Sequence, residues 1–156
     1  MKALIQRVSE ARVSVDGLVK GKIGKGLLVF AGFRGEDTPG ELDWMVEKIT
    51  GLRIFPDDKG VMNRSVKDIS GEILVVSQFT LHADTRKGKR PSYTRAANSE
   101  TANILYRLFI QKVKERNIPV SEGVFGAHMN VELTNDGPVT IPVDSPLEVA
   151  GKTGAK

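Results

Sequence analysis

The order of hydrophobic patterns along the chain limits its fold more than any other feature. Residues 2–33 carry runs typical of strands, alternating in "ALIQRV" and "ARVSV" and apolar on both faces in "GLLVFAGF", and Asp16-Gly17 predicts a two-residue hairpin turn before "LVKGKI". A helical stripe follows, then strand-like runs, a second helical stripe, and strand-like runs again. Because strands and helices do not alternate regularly, a doubly wound parallel sheet is disfavoured. The pattern predicts an α+β domain, a sheet or barrel flanked by two helices.

Both predicted helices are amphipathic. The first begins at Pro39, after Thr38 and Glu41 at capping-box spacing, and ends at Gly51. The second has Ser99 as its predicted N-cap. Their apolar faces are predicted to consist of Leu42, Met45, Val46 and Ile49 in the first and of Ala102, Leu105, Tyr106, Phe109, Ile110 and Val113 in the second.

Length and composition restrict the class of protein. The 156 residues suit one domain over residues 1–145, followed by a tail over 146–156 that we expect to be disordered. The chain contains no cysteine, which excludes disulfides, zinc–thiolate sites and thiol nucleophiles. The longest apolar run, residues 27–33, is far shorter than a membrane span, and Gln6 and Arg7 interrupt any signal-peptide pattern. We therefore predict a cytoplasmic protein without a membrane partner.

One segment concentrates positive charge. Between His82 and Arg95 the sequence has five basic residues and one acid, Asp84, in a chain whose net charge is +4. Such a run is typical of a solvated surface loop. It is also typical of a loop that contacts phosphates, with Tyr93 available for stacking.

The run "EILVVSQFTL" is predicted to be a second buried strand, and polar residues follow its apolar part "EILVV". Ser77, Gln78 and Thr80 indicate either a strand that emerges into solvent or a hydrolytic site with Thr80 as its hydroxyl. The only histidines, His82 and His128, are poor candidate bases. His82 is two residues from Thr80, on the same face of the predicted strand, but nothing in the spacing fixes its orientation. His128 lies at a strand start, where a satisfied or exposed histidine is the commoner case. GxSxG, HExxH and GxxxxGK[ST] motifs are absent, so we expect neither a metal nor a cofactor. So weak a set of acids and bases suits an already activated bond, such as an aminoacyl ester.

The stretch "LTNDGPVTIPV" contains an unusual Gly-Pro step. Asn135, Asp136 and Gly137 form a common hairpin signal, and residue types alone favour a turn here. Yet Pro138 follows at once and a strand-like run resumes. The alternative is that the backbone of Gly137 and Pro138 itself contacts a ligand.

Two segments together match a known family. "SQFTL" (Ser77–Leu81) and "NDGPVT" (Asn135–Thr140) resemble the signature motifs of D-aminoacyl-tRNA deacylases. "LIQRV" near the N-terminus and "FGAHMNVEL" (Phe125–Leu133) also resemble the family pattern. The similarity extends to about Val143, and the tail from Asp144 departs from the short C-terminus typical of the family.

This resemblance implies a fold, an assembly and a reaction. The fold is a β-barrel-like α+β domain with an antiparallel or mixed sheet flanked by two amphipathic helices, built as a homodimer. The enzyme is a proofreading, tRNA-binding hydrolase that cleaves the ester between a D-amino acid and the terminal adenosine of tRNA. The reaction uses the 2′-hydroxyl of the RNA and a positioned water, with little side-chain chemistry.

The resemblance also implies roles for individual residues. Gly137 and Pro138 form a cis pair that reaches from one subunit into the pocket of the other, and Arg7 holds the Gly-Pro carbonyls of the partner subunit. Without the resemblance, a charge such as Arg7 within an apolar strand indicates a salt bridge or a snorkelled edge residue. The catalytic positions are Ser77, Gln78 and Thr80, with main-chain amides beside Gln78 as an oxyanion hole. The remaining implied substrate-binding positions are Phe79, Phe125, Ala127, Met129 and Asn135.

A Gly-Pro backbone can act as a chirality filter. Gly137 lets another chain approach without an intervening Cβ, and proline has the only peptide bond with a modest cis penalty. Main-chain oxygens that hold the α-ammonium fix the direction of the amino-acid side chain. A D-side chain then points to solvent, whereas an L-side chain collides with the backbone. Because glycine has no side chain to reject, we expect glycyl-tRNA to be hydrolysed as well.

Two other functions compete with this one. A non-catalytic RNA-binding barrel would use the basic segment and exposed aromatic residues, but the nine aromatic residues are scattered. A threonine-dependent esterase for small molecules would lose all turnover in Thr80→Ala. The deacylase would only be impaired by that change, but would lose activity or chiral selectivity after changes at Gly137 or Pro138.

Overall fold

The computed structural model describes residues 1–146, and the predicted disordered tail lies outside this range except for Pro146. The strands are β1 (Lys2–Val15), β2 (Leu18–Ile23), β3 (Gly26–Gly32), β4 (Phe55–Pro56), β5 (Met62–Arg64), β6 (Glu72–Ser77), β7 (Val120–Glu122) and β8 (Asn130–Asp144). The α-helices are α1 (Pro39–Gly51) and α2 (Ser99–Lys114), and a 3₁₀ turn spans Phe79–His82.

The long strand β1 connects the sheet. It pairs antiparallel with β8 along most of its length, with β3 through residues 2–8 and with β2 through residues 11–15. Two parallel pairings, β3 with β6 and β6 with β7, extend the sheet. The sheet then nearly closes, because the Ser121 hydroxyl on β7 donates to the Lys22 carbonyl on β2 at 3.0 Å. The predicted α+β fold, a mixed sheet nearly closed into a barrel with two helices, is confirmed.

The core lies on both faces of β1, β3 and β6. The larger cluster packs one face against the two helices, and the apolar faces predicted for both helices are buried in it or at its edge. Leu28 and Leu74, which alternate with residues of the larger cluster, belong to a smaller cluster on the other face. This alternation on buried strands explains why "GLLVFAGF" is apolar throughout.

Local signals predicted the ends of α1 and the first hairpin. The Glu41 carboxylate accepts the backbone N–H of Thr38 at 2.6 Å, as the capping-box spacing predicts. Asp16 and Gly17 both have positive φ, as the two-residue turn between β1 and β2 requires. The predicted N-cap of α2 is wrong by one residue. Asn98, not Ser99, caps the helix, because its side chain accepts the Thr101 N–H at 2.8 Å.

Three segments differ from the predicted secondary structure. "ALIQRV" and "ARVSV" form one continuous strand, β1. "SQFTL" does not continue a strand, because β6 ends at Ser77 and a 3₁₀ turn follows. "NDGPVT" is not a hairpin turn, because β8 runs through it and stays paired with β1 on both sides.

Candidate active site

The Ser77–Thr80 segment lies where parallel strands end together. Ser77 pairs with Ala31 at the carboxyl end of β3, and the Gln78 N–H donates to the Ala31 carbonyl at 2.8 Å. The neighbouring strand β7 ends at Glu122, and the chain then continues into the 123–129 segment. The structure therefore brings the two predicted segments 77–80 and 125–129 to the same edge of the sheet.

The 3₁₀ turn places the polar side chains of Gln78 and Thr80 next to each other, and neither makes a hydrogen bond with a candidate catalytic base. Gln78 Nε2 donates to Thr80 Oγ1 at 2.5 Å, so Thr80 is held by an amide. The N–H groups of Phe79 and Thr80 make no hydrogen bond with another described residue, since the turn's first bonds are made by the N–H groups of Leu81 and Ala83. Two free main-chain donors next to Gln78 suit the stabilisation of a developing oxyanion.

His82 does not act on Thr80. The two residues were predicted to share a strand face, but the 3₁₀ turn separates their directions, and no hydrogen bond joins them. His82 is 4% exposed, its Nε2 has no partner among the described residues, and burial lowers the pKa of its imidazole. Because His82 is buried and makes no hydrogen bond with Thr80, it is a core residue here rather than a general base for the turn.

Aromatic and apolar residues surround this edge. Phe79 is 56% exposed and meets Tyr93 edge-on, with ring centroids 5.1 Å apart. Phe125 is half-buried, contacts Tyr106 at 5.7 Å between centroids, and lines a cavity of ≈ 530 Å³. Ala127 and Met129 are also half-buried. Phe79 is thus a surface residue available for stacking, in contrast to the core position usual for an aromatic residue next to a strand.

The Gly137-Pro138 step lies in an irregular part of β8. The pairing with β1 shifts register between Gln6 and Val8, and both Gly137 and Pro138 are exposed there. The peptide bond between them is cis, as the resemblance implies. The Asn135 amide spans the irregularity by donating to the Val139 carbonyl at 2.9 Å and the Arg7 carbonyl at 3.4 Å.

Arg7, which lies on β1, holds this part of β8 in place by hydrogen bonding. Its Nε donates to the carbonyl of Asp136 at 2.7 Å, and a terminal nitrogen donates to the carbonyl of Ile54 at 2.6 Å. The expected contact of Arg7 with the Gly137-Pro138 carbonyls of the partner subunit stays a prediction. Arg7 contacts the preceding carbonyl of its own chain, because it lies directly opposite the register shift. Within the chain, Arg7 therefore holds the residue that precedes the Gly-Pro step.

The two groups of candidate residues lie at opposite ends of β3 in one chain. Arg7 pairs with Leu27, which pairs with Ile73, whereas Ser77 pairs with Ala31. The four residue-to-residue steps from Leu27 to Ala31 span about 13 Å along the strand. The Gly-Pro step, opposite Arg7, therefore lies far from the 3₁₀ turn within one chain.

Comparison with known proteins identifies the family. A family profile described as D-Tyr-tRNA(Tyr) deacylase matches residues 4–144. A D-aminoacyl-tRNA deacylase of Thermotoga petrophila is 53% identical over 145 residues, which cover 93% of this chain and 97% of that protein. One of Opitutus terrae is 56% identical over 146 residues, with the same coverage. The chain belongs to the D-aminoacyl-tRNA deacylase family.

Solved structures support the same fold for this family member. A structure titled "c-Myc DNA Unwinding Element Binding Protein" matches with a TM-score of 0.89 at 44% identity, covering 94% of this chain and 99% of that one. A probable eukaryotic D-amino acid tRNA deacylase matches in fold with a TM-score of 0.75 at 17% identity, covering 91% and 98%. Membership of the D-aminoacyl-tRNA deacylase family confirms the resemblance and the predicted class of enzyme, a hydrolase.

Other kinds of site find no support in the described part of the deacylase. Residues 1–146 contain no cluster of three histidines or carboxylates that could hold a metal ion. No helix in that range is long and apolar enough to cross a membrane.

Some contacts at the candidate site could not be predicted from the sequence. The Ile54 carbonyl, which Arg7 binds, is a main-chain atom that no sequence signal marks. Tyr106 was predicted only as a core residue of α2, yet it also lines the cavity beside Phe125. Its hydroxyl donates to the Val75 carbonyl at 3.0 Å, and burial raises the pKa of that phenol, so it stays neutral.

Replacing Arg7 by lysine is expected to slow D-aminoacyl-tRNA hydrolysis. A lysine keeps the charge but cannot direct two donors to the Asp136 and Ile54 carbonyls at once. We expect kcat/KM to fall by about tenfold or more, the scale of one lost charge-assisted hydrogen bond. Steady-state kinetics check this. Arg12→Lys is the matched control, because Arg12 lies on the same strand but pairs with Glu132 at the surface.

Proposed function

We propose that this deacylase releases D-amino acids from tRNA in the cytoplasm. It rejects L-aminoacyl-tRNA by means of the Gly-Pro backbone that a second subunit contributes to the site. The proposal unites the two groups of residues that lie at opposite ends of β3 in one chain. A two-fold homodimer brings the exposed Gly137 and Pro138 of one subunit to the 3₁₀ turn of the other, twice per dimer. That separation within one chain is the observation on which the proposal rests.

The chemistry requires little from side chains. Water attacks the carbonyl carbon of the ester, the bond to the ribose 3′-oxygen breaks, and that oxygen takes up a proton as the amino acid leaves. The N–H groups of Phe79 and Thr80, which donate to no other described residue, stabilise the charge on the carbonyl oxygen in this proposal. The absence of a hydrogen bond from Thr80 to a histidine or carboxylate in residues 1–146 supports proton transfer through the 2′-hydroxyl of the RNA.

The terminal adenosine of tRNA binds at the same edge of the sheet in this proposal. Phe79 offers an exposed ring, and Phe125, Ala127 and Met129 form a half-buried apolar wall. Aromatic faces bind nucleobases by stacking, which is insensitive to the identity of the base. Such a binding site recognises the 3′ end that all tRNAs share, whereas the Gly-Pro step discriminates between the D- and L-forms of the amino acid.

The test offers the purified protein one tRNA charged with a D-amino acid, its L-enantiomer or glycine, and follows release of free amino acid. We expect rapid release from the D-ester, no release above the spontaneous rate from the L-ester, and measurable release from the glycyl ester. Equal rates on the two enantiomers would refute the chirality filter. No release from any ester would favour an RNA-binding role without catalysis.

Thr80→Ala distinguishes the deacylase from a threonine-dependent esterase. In our proposal Thr80 positions Gln78 through the 2.5 Å hydrogen bond and forms no covalent intermediate. We expect kcat/KM for D-aminoacyl-tRNA to fall by about tenfold, the value of one hydrogen bond. Thr80→Ser, which keeps the hydroxyl, should restore most of the activity. Loss of all turnover in Thr80→Ala would instead assign Thr80 as the nucleophile.

A further inference from the structure

The basic segment is a closed loop next to the candidate active site. It follows the 3₁₀ turn directly, and two hydrogen bonds between the main chains of Asp84 and Ser92, at 2.8 and 3.0 Å, close its base. Every residue from Thr85 to Arg95 is exposed. We call residues 84–95 the basic loop.

The net charge of the chain resides in this loop. It carries five of the 23 basic residues and one of the 19 acidic residues, so the rest of the chain has equal numbers of each. The basic loop therefore accounts for the whole formal net charge of +4. A concentrated positive surface attracts a polyanion, whereas evenly spread charges serve only solubility.

Most basic residues of the basic loop form no ion pair with an acidic residue in 1–146. Arg86 forms a two-point ion pair with Asp84, at 2.9 and 2.5 Å, and hydrogen bonds from Arg86 hold the pKa of that carboxyl well below its usual range. The remaining basic residues make no ion pair with any residue in 1–146: Lys87, Lys89, Arg90 and Arg95. Arg86 and Asp84 thus order the loop, and the other cations stay available to a partner.

The shape of the loop suits a chain of phosphates. Arg86, Lys87 and Arg90 line an open depression of ≈ 560 Å³ together with Asp84 and Ser92. Lysine ammonium groups and arginine forks are the usual partners of phosphodiester oxygens, and Ser92 adds a hydroxyl. Several cations along one exposed loop match consecutive phosphates better than a single small anion.

A direct contact connects the loop to the candidate active site. The Tyr93 ring in the loop packs edge-on against Phe79, the residue between Gln78 and Thr80. An RNA whose terminal adenosine stacks at Phe79 therefore has its preceding nucleotides next to the basic loop. This step rests on the proposed function, which puts the 3′ end of tRNA at the 3₁₀ turn.

We propose that the basic loop binds the phosphodiester backbone of the tRNA acceptor end, with Lys87, Lys89 and Arg90 as the contacting cations. The contact supplies affinity that does not depend on nucleotide sequence and orients the ester for the 3₁₀ turn. It takes no part in bond cleavage.

The test compares a Lys87→Gln, Lys89→Gln, Arg90→Gln triple variant with a control in which Lys20, Lys59 and Lys67 are changed to glutamine. The control removes the same charge from exposed lysines elsewhere that make no ion pair with any residue in 1–146. Binding of uncharged tRNA is measured over a range of salt concentrations. We expect the loop variant to bind about 10- to 100-fold more weakly at low salt, with a salt slope smaller by about 2 to 3. The control should match the unchanged protein.

Hydrolysis separates this proposal from the proposed function. D-aminoacyl-adenosine carries the same ester without the phosphate backbone, so the loop variant should cleave it at the unchanged rate but cleave D-aminoacyl-tRNA more slowly. Equal losses on both substrates, or unchanged tRNA binding and salt slope, would overturn the role of the loop. Binding that depends on the loop without hydrolysis of either ester would count against the proposed function alone.

Discussion

Replacing Gly137 by alanine is expected to reduce kcat/KM for D-aminoacyl-tRNA by more than about 10²-fold while leaving the protein folded. A Cβ at this position would lie 1.9 Å from Asn135 Oδ1 and 3.0 Å from the Val139 nitrogen. The Asn135 side chain must then move, and it loses its bonds to the Val139 and Arg7 carbonyls. In the proposed dimer the added methyl also enters the pocket of the other subunit, where the amino acid lies.

The stability and selectivity of this variant separate a local effect from unfolding. Gly137 is exposed, so we expect thermal unfolding within a few degrees of the unchanged protein. Gly51→Ala is the control, because a Cβ there meets nothing within 4 Å and should leave activity unchanged. Kinetics with matched D- and L-esters measure the result. Undiminished activity and selectivity in Gly137→Ala would show that this backbone does not contact the substrate.

Sequence reasoning succeeded where the cause was local. The capping pair Thr38–Glu41, the Asp16-Gly17 turn and the buried face of α2 each depend on residues within a few positions of one another. Local chemistry did not predict the end of β6, because the strand-like run was expected to continue through "SQFTL" but the strand ends at Ser77. It could not place the 3₁₀ turn after Ser77, because a turn and a strand end have the same polar residues.

Sequence reasoning from residue types failed where distant pairing decided the outcome. Asn135-Asp136-Gly137 is a strong turn signal, yet pairing with β1 on both sides keeps β8 continuous. The segment forms an irregularity in the strand, where the register of the pairing shifts, instead of a turn. Only the family resemblance pointed to a backbone role there. The Arg7 contacts with the Asp136 and Ile54 carbonyls depend on the same tertiary pairing. The separation of the two site groups follows from strand register, which residue types do not reveal.

Subunit complementation is expected to restore activity from two inactive parents. One parent carries Gly137→Ala, and the other carries Gln78→Ala with Thr80→Ala, which removes the Nε2 donor and its partner. We expect the second parent to lose about 10²-fold or more in kcat/KM. In a dimer of the two, one site combines an intact 3₁₀ turn with an intact Gly-Pro step, and the other site has both defects.

The decisive measurement is the rate of D-aminoacyl-tRNA hydrolysis by such heterodimers, purified through a different affinity tag on each parent. If the Gly-Pro step acts on the neighbouring subunit, each heterodimer has one working site and about half the activity of the unchanged dimer. If both groups act within one chain, every chain in the heterodimer is defective. Activity no greater than that of the parents would then contradict a site shared between subunits.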